Sequence, residues 1–184
     1  VISERVFTLE VLELGGCYKL GDVALETLLS KCASLQELLL PCNSRLGNQG
    51  LGAIRNVCTL RCLSLQDCTH LTDEQLLVLL GDDSTVNNSS SSRSGGSSSS
   101  VSSPLHLLED ISLAGLYGIT EKSVVPLLKA FGSNLSGLNL AGCVLLGDEI
   151  LMQIRQSCSK LRRLDLGELG RATAAGLLGL FLDT

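Results

Sequence analysis

Residues 60–79, LRCLSLQDCTHLTDEQLLVL, hold the pattern that decides the fold. Leu60, Leu63 and Leu65 are followed by Cys68, Leu71, Asp73, Leu76 and Leu79. The first part alternates side chains with the period of two of a short strand, and the last part has the i, i+3 apolar spacing of an amphipathic helix. One such unit is a strand, a turn, a helix and a return loop. It cannot bury its own apolar face.

The pattern recurs on both sides. Upstream it runs through Leu9, Leu12, Leu14, Cys17, Leu20, Asp22, Leu25, Leu28 and Cys32, then Leu35, Leu38, Leu40, Asn43, Leu46, Asn48, Leu51, Ile54 and Cys58. Downstream it runs through Leu108, Ile111, Leu113, Leu116, Ile119, Glu121, Val124, Leu127 and Phe131, then Leu135, Leu138, Leu140, Cys143, Leu146, Asp148, Ile150 or Leu151, Ile154 and Cys158. The last unit carries Leu161, Leu164, Leu166, Leu169, Ala172, Leu177 and Leu180. The units start at Leu9, Leu35, Leu60, Leu108, Leu135 and Leu161, a near-constant period broken once, between Leu60 and Leu108. Stacking buries what each unit leaves open, so the expectation is an α/β solenoid of about six repeats. Its parallel strands centre near Leu12, Leu38, Leu63, Ile111, Leu138 and Leu164 on the inside, with helices outside.

The one long interval contains residues 84–103, twelve of which are Ser, with no aromatic side chain. Such a segment cannot recover the entropy lost on ordering and reads as a disordered insertion on a return loop. A tolerated insertion is preferred to a phosphorylation target or tether, because loop closure depends weakly on length. The organisation is therefore units one to three with a lead-in over 1–83, the insertion over 84–103, and units four to six over 104–184. With Val1 in place of Met, the chain reads as a fragment or a processed protein.

Leu60 to Leu76 matches L-x-x-L-x-L-x-x-C-x-x-[IL]-[TG]-D-x-x-L almost letter for letter. In this the chain resembles the leucine-rich repeat, specifically its cysteine-containing subclass. The resemblance implies a right-handed solenoid. It also implies an inner ladder in which Cys17, Asn43, Cys68 and Cys143 bond backbone groups as the chain leaves each strand. Leu116 and Leu169 depart from the pattern, so those rungs either turn differently or rely on packing. The subclass is similar to that of F-box proteins, in which the repeats select a substrate for a cullin-type ubiquitin ligase. The adaptor would be contacted through a region outside this chain. Repeats of the same kind also serve as scaffold subunits in cytoskeletal, axonemal or organellar assemblies.

Eight cysteines raise the question of metal or disulfides. Cys17, Cys68 and Cys143 share one repeat position and Cys32, Cys58 and Cys158 are read as sharing another, each as a small buried hydrophobe. Cys42 and Cys62 fall outside the period. Cys58-x-x-x-Cys62 is half a zinc site at most, since His70 and His106 lie at unrelated positions. Eight free thiols and no metal are expected, which favours a reducing cytoplasm or nucleus over secretion. The sequons at Asn87, Asn88 and Asn134 would then go unused. Asp22, Asn48, Asp73 and Asp148 are spread one per unit and are read as caps of the helices that follow them, rather than as catalytic acids.

A formal net charge of -5 with scattered Lys and Arg gives no footprint for nucleic acid or an anionic membrane. No apolar stretch approaches the ~20 residues of a membrane span. No phosphate loop, nucleophile elbow, zinc-protease helix or dinucleotide fingerprint is present, and Gly15–Gly16 and Gly50–Gly52 are read as repeat turns. An enzyme, a cofactor and a small-molecule substrate are therefore not expected. Arrays of this kind work by surface, so the concave sheet face is the candidate binding site for a protein partner. Acids occupy its early units through Glu10, Glu13 and Glu37, beside Leu39. Ser64, Asp110, Ser112 and Asn139 follow, and Arg162, Arg163 and Asp165 close it. A partner with a basic end and an acidic end would match that gradient.

Overall fold

The computed structural model describes residues 8–81 and 105–182. Residues 84–103, expected to be an insertion, lie outside the described residues. Six three-residue strands, β1 (Val11–Glu13), β2 (Glu37–Leu39), β3 (Cys62–Ser64), β4 (Asp110–Ser112), β5 (Gly137–Asn139) and β6 (Arg163–Asp165), form one sheet in chain order. Every neighbouring pair is parallel, and Leu12, Leu38, Leu63, Ile111, Leu138 and Leu164 align across all six. These are the six expected centres. β3 and β4 pair in register despite the long interval between the starts of their units at Leu60 and Leu108.

Each strand is followed by a helix: α1 (Asp22–Leu29), α2 (Asn48–Arg55), α3 (Asp73–Leu77) extended by a 3₁₀ turn (Val78–Leu80), α4 (Glu121–Phe131), α5 (Asp148–Ser157) and α6 (Ala174–Phe181). Each helix packs on that of the next layer, giving a solenoid-like stack with its core between sheet and helices. Leu38, Leu63 and Leu65 have no exposed surface. Among the described residues the first and last layers have a neighbour on one side only, so Leu12, Leu14, Leu164 and Leu166 are half-buried and α6 buries no residue.

Two ladders link the layers beyond the sheet. In the inner one, Asn43 Nδ2 donates to the Leu14 carbonyl at 2.9 Å, Cys68 Sγ to the Leu40 carbonyl at 3.2 Å and Cys143 Sγ to the Leu113 carbonyl at 3.2 Å. Leu116 substitutes packing for that bond and is fully buried. The second ladder follows at the turn, where Gly16, Cys42, Asp67, Gly115, Gly142 and Glu168 all have φ between 57° and 74°. Each of the first five donates its amide to a carbonyl of the next layer at 2.8 Å. Glycine takes this left-handed conformation without penalty; Cys42, Asp67 and Glu168 do not. At Gly115 a Cβ would also meet Asp67 Oδ1, so that carboxylate would have to turn aside.

Three expectations are corrected. The periodic acids do not cap their own helices: Asp22, Asn48, Asp73 and Asp148 are first helical residues, and the caps are Gly21, Gly47, Thr72 and Gly147. The acids bond forward instead, to the N-cap of the next layer. Asp22 accepts from Gly47 N at 2.7 Å, Asp73 from Thr120 N at 2.8 Å, Glu121 from Gly147 N at 2.8 Å and Asp148 from Thr173 N at 2.7 Å. Gly47 and Gly147 have no side chain to offer, so the carboxylate from the layer before serves the exposed start of the helix; Thr120 and Thr173 add caps of their own, accepting from Lys122 N and Gly176 N. At the Asn48 rung, Thr72 N turns to Gln75 Oε1 of its own helix.

The second correction concerns Cys58, which is exposed. Val57 fills the interior there, because it stands three positions before Leu60, as Cys32 stands before Leu35 and Cys158 before Leu161. The third is that Gly50 and Gly52 lie inside α2 rather than in a turn. Gly50 lets α2 approach α1, since a Cβ would meet Asp22 Oδ1 and Leu46 Cδ1 at 2.7 Å.

Candidate protein-binding face

The strand residues that flank the buried leucines point away from the core and form two rows. One runs Val11, Glu37, Cys62, Asp110, Gly137, Arg163, and the other runs Glu13, Leu39, Ser64, Ser112, Asn139, Asp165. The sheet thus brings together Glu13, Glu37, Leu39, Ser64, Asp110, Ser112, Asn139, Arg163 and Asp165. Glu10 and Arg162 stand one position before their strands, on the rim, in the row that also holds Arg61 and Glu109. An ion pair joins Arg61 and Glu109 across adjacent layers. Sequence reading missed that pair, although the two share an offset of one from Leu60 and Leu108.

The β4–β6 end of the face is organised by Gly137. Arg163 Nη2 donates to Asp110 Oδ1 at 2.7 Å from two strands away, passing over β5. A Cβ at Gly137 would stand 1.8 Å from the same carboxylate oxygen and 3.4 Å from Arg163 Nε. The glycine is therefore the floor of the bridge. Burial pushes the neighbouring Cys62 thiol up, the Asp110 and Glu37 carboxylates push it further, and Arg163 opposes them. A raised thiol is a poor nucleophile, so Cys62 behaves as a lining group.

Polar groups nearby are partly committed to their own turns. Asn139 Oδ1 accepts from Ala141 N and Asp165 Oδ1 from Gly167 N, each at 3.0 Å. Ser112 Oγ is screened from water and has no partner among the described residues, between Ser64 and Asn139 in the row. The bridge and these groups line a recess of about 570 Å³ on the sheet face. A second recess, of about 750 Å³, opens on the rim between His106, Asn134, Lys160 and Arg162. The expected charge gradient is thus modified. The acids of β1 and β2 stand open, while the Arg163 charge is met by Asp110 and positive charge persists on the rim.

Among the described residues no group of three or more His, Cys, Asp or Glu is placed to hold a metal ion, and all eight cysteines are unpaired. No described helix is long and apolar enough to cross a membrane.

No protein-family model matches the chain, and no curated protein matches it. Among solved structures, the yeast complex of Rad7 and Elc1 contains a chain that is similar over 97% of this one, at 18% sequence identity and a TM-score of 0.43. This chain spans 56% of that one.

Proposed function

We propose that this chain is a non-catalytic protein-binding module: a right-handed leucine-rich-repeat array of six repeats that holds its partner on the free face of the sheet. One observation carries the reading. Twelve strand positions point away from the core in two straight rows, and their chemistry is uneven. Exposed carboxylates stand beside aliphatic side chains at one end, and an ion-paired recess floored by glycine lies at the other. An uneven, solvent-facing surface on a rigid scaffold is suited to recognising one partner over others.

Within that reading the task is substrate recognition for a cullin-type ubiquitin ligase, in the cytoplasm or nucleus, with the adaptor bound through a region outside these residues. Resemblance to the cysteine-containing subclass supports it, and the thiol-to-carbonyl bonds of Cys68 and Cys143 support that resemblance. A scaffold role is the second reading, favoured by the apolar outer side of α6, where Leu178 is 59% and Phe181 79% exposed. Photo-crosslinking separates the two. A crosslinker at Ser64 on the sheet, at Glu74 on α3 and at Leu178 on α6 is activated in native extract, and adducts are identified by mass. Adducts from Ser64 alone support partner recognition on the sheet. Adducts from Leu178 alone support the scaffold, and adducts from Glu74 in preference to both contradict both.

A further inference from the structure

The sheet's charge distribution specifies the chemistry of the partner, given that the partner binds on this face. Glu13 and Glu37 are diagonal neighbours on β1 and β2, since Glu13 pairs with Leu39 and Val11 with Glu37. Their Cα atoms are therefore about 8 Å apart, from ~4.8 Å between strands and two residues of ~3.3 Å along one. Among the described residues neither carboxylate has an ion-pair partner. Val11, 49% exposed, and the half-buried Leu39 complete the square. Two carboxylates around two aliphatic side chains suit a cation on a long apolar stem, which is a lysine or arginine.

Over the rest of the sheet four charges are already matched, Arg163 by Asp110 and Glu109 by Arg61. Asp165 is turned to its own loop. What stays available is Lys160 and Arg162, at the mouth of the rim recess beside His106. Lys160 Nζ is held in place by Asn134 Oδ1 at 3.3 Å, and Asn134 Nδ2 in turn donates to the His106 carbonyl at 2.8 Å. This rim accepts an acidic group.

From the midline of β1 and β2 to β6 is four to five strand spacings, about 22 Å at ~4.8 Å each, which an extended chain covers in about six or seven residues. We propose that the partner presents an extended bipolar segment running across the strands. A Lys or Arg lies over Val11 and Leu39 between Glu13 and Glu37, and an acidic residue six or seven positions along reaches Lys160 and Arg162. The spacing, rather than the net charge of either protein, is what the face reads.

The test uses the full chain and labelled peptides followed by fluorescence anisotropy. One probe carries two arginines, six neutral Gly and Ser residues and two aspartates, made in both chain directions. Its isomer has the four charged residues adjacent. The spaced probe should bind about tenfold tighter than the isomer in at least one direction. Glu13→Gln with Glu37→Gln, and separately Lys160→Gln with Arg162→Gln, should each remove that advantage. Glu74→Gln with Glu149→Gln, on exposed positions of α3 and α5, should leave it unchanged. Equal binding of the two probes, or an advantage that survives either face variant, overturns the proposal. If Ser64 still captures a partner in that event, the sheet remains the binding face and only the bipolar segment is wrong.

Discussion

Leu65 lies between two complete layers and exposes no surface. Removing its three outer carbons leaves a hole that neighbours on both sides are too rigidly stacked to fill. Leu65→Ala should therefore lower unfolding free energy by about 2–5 kcal/mol in urea titrations, with an unchanged slope. A loss under ~1 kcal/mol would mean that the strand register is shifted by one, which turns every side chain over. Register was legible in the sequence because leucine alternation admits one inward face. The left-handed turn residue was not. Gly16, Gly115 and Gly142 advertise it, but Cys42, Asp67 and Glu168 hold the same conformation with ordinary side chains. Cys58 was misread for the opposite reason. Cys32 precedes its next unit start, Leu35, by three positions, whereas Cys58 precedes Leu60 by two, and that slip of one moves it out of the core.

Between elements, the forward-reaching carboxylates tie the starts of α2, α4, α5 and α6 to the layer before each. Asp148 accepts from both Thr173 N and Thr173 Oγ1, and these bonds hold its carboxyl below the usual 3.8. A depressed folded-state pKa contributes stability that is present above the unfolded value and is lost as pH falls through the folded one. The Thr173 amide shift should accordingly titrate with a midpoint below 3.8 by NMR, and α6 should loosen only in that acid range. Asp148→Asn should abolish the step; a Thr173 midpoint above 3.8 would show that the bond is not made in solution. The sequence places Asp, Asn or Glu at this position in each of the first five units, but which helix they serve depends on a neighbour that exists only after stacking.

At the scale of the molecule, the sheet continues without a break from β3 to β4. Removing residues 84–103 and joining Asp83 to Pro104 shortens the interval from Leu60 to Leu108 to nearly that of the other units. The variant should keep its circular dichroism spectrum and melt no lower than the parent, since cutting the connection to a few residues is about three halvings, each lowering the closure cost by about 0.6 kcal/mol. Loss of the cooperative melt would show that the insertion holds the two halves together. The rows of the binding face were legible for the same reason as the strands. The Arg163–Asp110 bridge was not, because it depends on a side chain crossing an intervening strand at the one position where glycine leaves room. Recognition through the free face of the sheet is tested most directly by isothermal titration with the protein captured from Ser64. Glu13→Arg with Glu37→Arg should weaken binding at least tenfold, while Glu74→Arg with Glu149→Arg, on the helical side, should change it less than twofold. Equal affinities for both variants and the parent, or a loss confined to the helical-side pair, would contradict the assignment of the sheet as the working surface.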